Sequence, residues 1–84
     1  MITISMFSQL KMKEQADMLY QHGVYVGKQR NALYSIVLYQ LDSFYVEVYY
    51  RKYRFSIVKI HCFCSIDKLQ PYLWQVNVDV LLNV

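Results

Sequence analysis

The stretch Leu38-Tyr-Gln-Leu-Asp-Ser-Phe-Tyr-Val-Glu-Val-Tyr-Tyr50 decides the fold. A polar pair, Asp42-Ser43, separates two runs rich in Tyr, Val, Leu and Phe, and in the second run Phe44, Val46 and Val48 alternate with Tyr45, Glu47 and Tyr49. Alternation with a period of two places one set of side chains on a buried sheet face and the other on its reverse. A polar break this short joins antiparallel neighbours.

Outward from this hairpin the same character extends from Val24 to Cys64, dense in Val, Ile, Tyr and Phe. Polar clusters at Gln29-Arg30-Asn31, Leu41-Asp42-Ser43 and Arg51-Lys52-Tyr53-Arg54 divide it into four strands near 24–28, 33–40, 44–51 and 55–63. Short loops between consecutive strands predict an antiparallel meander. Pairing the third and fourth strands with Phe44, Val46 and Val48 opposite Cys62, Ile60 and Val58 puts apolar residues on one face and sets Glu47 against Lys59 on the other. Tyr45 then lies beside His61 and Tyr49 beside Ile57. For the second hairpin a three-residue loop adds Ile36 and Leu38 to the apolar face, and a two-residue loop adds Val37 and Tyr39. The three-residue loop is the preferred reading.

Helical spacing precedes the strands from Ser8 to His22, with Met12, Ala16, Leu19 and Tyr20 in one stripe and Gly23 placed for a left-handed C-cap. After them Asp67 is a suitable N-cap and Pro71 falls near a first turn, so a second helix is expected to about Gln75. Val76 to Val80 is β-branched and alternates, which leaves the tail open between helix and strand. The expected architecture is α+β: a four-stranded antiparallel meander sheet with an N-terminal and a C-terminal helix packed on one face, αββββα, forming one domain over residues 1–84.

Composition narrows the class. With 56% apolar and 18% charged residues and only two Gly and one Pro, disordered and collagen-like chains are excluded. Met1 to Ser8 lacks the pattern of a signal peptide, the apolar runs are too short to span a bilayer, and the two cysteines are too few for a disulfide scaffold, so a cytoplasmic protein is expected. The net charge of +3 permits an acidic partner without demanding one.

Three groups of residues are candidates for function. The face left open by the helices carries Tyr45, Tyr49, Ile57, Phe63, Lys59 and His61, an aromatic surface suited to contact with another protein. The plainer reading is that Tyr suits a pleated surface and that Lys59 and Glu47 keep it solvated. The basic residues Lys28, Arg30, Arg51, Lys52 and Arg54 converge at one end of a meander and could contact phosphates, with nearby tyrosines stacking on bases. Charged turns also serve simply to solvate hairpins, and no RNP motif is present. The run His61-Cys62-Phe63-Cys64 suggests soft metal ligands, but a strand points His61 away from both cysteines, so no metal or other cofactor is expected and the thiols read as buried and inert. An open sheet does not exclude water, which argues against an enzyme. The expectation is a non-catalytic protein–protein interaction module, homodimeric through the aromatic face or an edge strand, with Tyr45, Tyr49, Ile57, Lys59 and His61 at the contact. The alternative is a weak nucleic-acid binder.

Overall fold

In the computed structural model, which describes residues 2–52 and 56–72, the chain reverses at Asp42, whose φ of 52° lies in the left-handed region that Asp tolerates better than most residues. The resulting two-residue hairpin pairs Leu41 with Phe44 and joins β2 (Tyr34–Leu41) to β3 (Phe44–Arg51). With β1 (Val24–Arg30) and β4 (Ile57–Phe63) these form one antiparallel sheet in the order β1-β2-β3-β4. The expected meander is present.

The loop length sets which residues face which way. Leu41 and Phe44 are each 1% exposed in one core cluster, so both must be paired and facing inward, and a three-residue loop would pull Leu41 out of the ladder. Val37 and Tyr39, and not the expected Ile36 and Leu38, therefore share a face with Val46 and Val48.

Between β3 and β4 the register differs by two residues from the sequence expectation. Val46 pairs with Cys62 and Val48 with Ile60, while on the reverse face Tyr45 pairs with Phe63, Glu47 with His61 and Tyr49 with Lys59. A two-residue shift preserves the faces and changes the partners. It exchanges an exposed Glu47–Lys59 ion pair, worth little in water, for the stacking and burial of Phe63 against Tyr45.

Both edge strands are bulged. On β4 Tyr49 faces Lys59 but Tyr50 faces Ile57, leaving Val58 as the extra residue, and on β1 Val26 is extra between Tyr25 and Gly27. The β4 bulge carries Ile57 onto the face opposite Tyr49, correcting its expected place beside that residue. Bulged edges are poor templates for a further strand.

The N-terminal helical segment is two helices, not one beginning at Ser8. In α1 (Ile4–Ser8) Thr3 Oγ1 accepts the Met6 N–H at 3.2 Å, and at the start of α2 (Met12–His22) Glu14 Oε1 accepts the Lys11 N–H at 3.1 Å. The buried Gln15 side chain donates to the Phe7 carbonyl at 2.9 Å, tying the two helices together. Phe7 is fully buried against Phe44, with ring centroids 5.7 Å apart. On α2 the buried residues are Gln15 and Leu19, whereas Met12 and Tyr20, expected in the buried stripe, are exposed. Gly23 is extended at φ −74°, not left-handed. Its requirement is for space: a Cβ there would lie 2.7 Å from the Leu19 carbonyl oxygen.

The C-terminal segment also departs from expectation. Residues Ile66–Tyr72 form a 3₁₀ helix, in keeping with Pro71, which has no N–H to offer an α-helical carbonyl. It packs on the face opposite α1 and α2, where Leu69 and Tyr72 are buried with Leu38 and Phe63. The helix face at β4 is already taken by α1 and α2, while Leu38 and Phe63 on the reverse needed cover. The molecule thus has helices on one face of the sheet and a 3₁₀ turn on the other. The expected helical turn to Gln75 and the alternating tail beyond it lie outside the described residues. No helix among the described residues is long and apolar enough to cross a membrane.

Candidate functional site

On the 3₁₀ face the parity of β3 and β4 brings together Tyr45, Tyr49, Lys59 and His61, four of the five residues expected at a contact, and Ile57 lies on the other side. They differ in availability. Tyr45 is half-buried, stacked on Phe63 at 5.7 Å and 26°, and packs on the Leu38 and Tyr72 cluster, so its part is structural. Tyr49 meets Tyr34 edge-on at 5.9 Å and carries the Lys59 ammonium 4.6 Å from its ring centroid. His61 is exposed and stacked on Phe63 at 6.0 Å, and Lys68 Nζ lies 5.8 Å from that same ring. Between the strands and the 3₁₀ helix runs a broad groove of about 500 Å³ lined by Glu47, Tyr49, Lys59, His61, Asp67 and Lys68.

Glu47 is anchored in this groove. The buried Tyr72 hydroxyl donates to Glu47 Oε2 at 2.7 Å. Burial first, then this hydrogen bond and the negative charge of Glu47, push the Tyr72 hydroxyl far above the usual tyrosine range. Tyr49 is raised by burial and then by the charge of Glu47.

The basic cluster is only partly assembled. A hydrogen bond from the Lys52 N–H to the Leu33 carbonyl at 3.3 Å joins the β1–β2 turn to the residue following β3, so Arg30, Arg51 and Lys52 do share one end of the sheet. Strand parity divides them by face, however. Lys28 and Arg30 lie in the helix-face rows of Val37 and Ser35, whereas Arg51 pairs with Tyr34 on the 3₁₀ face. Arg54 lies outside the described residues.

A tyrosine cluster on the helix face is the feature that the sequence reading missed. Tyr20 and Tyr25 are 71% and 59% exposed, and half-buried Tyr39 lies between them, with the Tyr25 and Tyr39 rings edge-on at 6.4 Å. Burial, followed by the nearness of Tyr20 and Tyr25, raises the Tyr39 hydroxyl. The Tyr50 hydroxyl is pushed up to about 12, by burial first and then by its neighbours Tyr20 and Tyr39. The signal that would have exposed this group is the length of the Asp42-Ser43 turn, because a two-residue loop alone places Tyr39 on the same side as Tyr50.

The thiols are not alike. Cys62 is half-buried on the helix face, and burial raises its pKa, whereas Cys64 is exposed, contrary to the expectation that both are buried. Among the described residues no group of three or more His, Cys, Asp or Glu side chains is placed to hold a metal ion. No protein-family model, no curated protein and no solved structure matches the chain.

Proposed function

We propose that the chain is a non-catalytic interaction module that self-associates through the helix-face cluster of Tyr20, Tyr25, Tyr39 and Tyr50. The observation that carries this reading is the exposure of Tyr20 and Tyr25, two large rings left in water beside a partly covered aromatic floor. Such a surface suits a contact because tyrosine supplies area and a hydrogen-bonding tip at small entropic cost. It suits contact with a second copy because a two-fold axis sets a patch against itself, and neutral phenols meet there without like-charge repulsion. The bulges on β1 and β4 favour this face over pairing of an edge strand. The non-catalytic part of the reading rests on the openness of the groove around His61 and Lys59, from which water is not excluded.

The test is molar mass in solution by light scattering during size exclusion, at low and at high salt. The expected species is close to twice 10.1 kDa and resists salt. Tyr25→Glu and, separately, Tyr20→Glu should each yield a folded monomer by circular dichroism, since both side chains are exposed. A wild-type monomer at both salt concentrations, or a dimer unmoved by both substitutions, overturns the reading.

A further inference from the structure

We propose that the 3₁₀ face binds single-stranded nucleic acid, with Arg51, Lys59 and Lys68 on phosphates and Tyr34 and His61 stacking on bases. This goes beyond self-association and uses the opposite side of the sheet.

Cations and rings alternate across this face in a fixed order. Arg51 is the cross-strand partner of Tyr34, Lys59 is that of Tyr49, His61 follows two residues along β4, and Lys68 borders the groove from the 3₁₀ helix. Residues two apart on a strand are separated by about 6.6 Å, a step suited to successive nucleotides of an extended strand. His61 rests one side of its imidazole on Phe63, which leaves the exposed side to receive a base. Lys59 and Lys68 are already held near the Tyr49 and Phe63 rings, so less side-chain freedom is lost when they meet a phosphate.

Among the described residues two carboxylates share the face. Glu47 is half-buried and held by the Tyr72 hydroxyl of the 3₁₀ helix, but it lines the groove across from His61 and its charge opposes a polyanion there. Asp67 is exposed at the border of the groove and opposes a polyanion. Among the described residues this sheet surface presents stacking platforms and no element that protrudes into a duplex groove, which selects single strands over duplex.

Fluorescence anisotropy with a short labelled oligothymidylate tests this, using the full chain, a duplex of equal length and unlabelled polyglutamate as competitor. Three phosphate contacts predict binding that weakens roughly twentyfold between about 50 and about 200 mM salt. Lys59→Ala and Arg51→Ala should each reduce the slope of log affinity against log salt by about 0.7. His61→Ala should weaken binding about fivefold or more with the slope unchanged. Asp67→Asn should tighten binding, and Gln9→Ala, exposed at the end of α1 on the opposite face, should leave it unaltered. All these side chains are exposed, so loss of fold is not expected, and circular dichroism checks it. No binding at low salt overturns the proposal. So does duplex bound as tightly as single strand. Polyglutamate competing as well as unlabelled oligothymidylate, with His61→Ala without effect, would instead assign the face to an acidic protein segment.

Discussion

On the helix face Tyr20, Tyr25, Tyr39 and Tyr50 lie against one another, whereas on the opposite face Tyr45 lies against Phe63 and Tyr49 lies between Tyr34 and a lysine. One residue type thus has two surroundings on a single sheet. On the first side burial, and then the neighbouring hydroxyls, raise the pKa of Tyr39 and Tyr50, and the cluster is phenolic. On the second the rings serve as supports for Lys59 and as part of a small buried cluster that includes Tyr72. What a strand tyrosine does is decided by its row and by what crosses above it, more than by its own chemistry. Among the described residues the two sides also differ in the size of their cores. The helix-face cluster holds Phe7, Leu19, Leu41, Phe44, Val46 and Val48, and the reverse cluster holds Leu38, Phe63, Leu69 and Tyr72.

That asymmetry can be broken most directly by truncation. Phe7→Ala should destabilise the fold by about 3–5 kcal/mol, because a fully buried ring in the larger cluster is lost and the cavity cannot close. Leu69→Ala should cost about 2–3 kcal/mol, near the lower end for buried leucine, since its cluster borders an open groove. Denaturant midpoints measure both. A Leu69→Ala loss equal to that of Phe7→Ala would abolish the distinction between a main and a subsidiary core.

A smaller effect sharpens the contrast between the hydroxyls. Tyr72→Phe removes the donor to Glu47 and should cost about 1.5–3 kcal/mol, as for a hydrogen bond to a charged group. An unchanged denaturant midpoint would show that the 2.7 Å contact contributes nothing to the fold.

The smallest effect is in alkaline titration. Tyr50 and Tyr72 both have raised folded-state pKa values, so the unfolded chain releases these protons first. Their contribution is complete below the ordinary value of 10.0 and is lost as pH climbs, through about 12 for Tyr50 and beyond that for Tyr72. Stability should therefore fall with pH above 10, and Tyr50→Phe should shallow the first part of that fall. An identical slope in wild type and Tyr50→Phe would contradict the assigned environment of the helix-face cluster.

Much of the architecture was legible in local sequence. Four strands, their antiparallel order and the joining turns follow from alternation and from polar breaks, which are short-range properties. Faces and partners were harder. The face of β2 hinges on whether two or three residues turn at Asp42, and the expected charge pair of Glu47 with Lys59 lost to the burial of Phe63. Ile57 changed sides through a bulge that leaves no mark in an apolar run. The side taken by the 3₁₀ helix depends on which surface the N-terminal helices already occupy, a fact of tertiary packing that helical periodicity does not contain. The candidate site inherits these limits: Lys59, His61 and Tyr49 were placed together because their parity survives a two-residue shift, and the Tyr39 cluster was missed because its parity does not survive a one-residue change.

Gly23 joins the end of α2 at His22 to the start of β1 at Val24 with no loop between them. A joint of one residue, too confined for a side chain, leaves no slack between helix and strand. The last turn of α2 and the Val24–Gln40 end of the sheet are therefore expected to open together, which hydrogen exchange at the amides of the two elements would show as a shared rate.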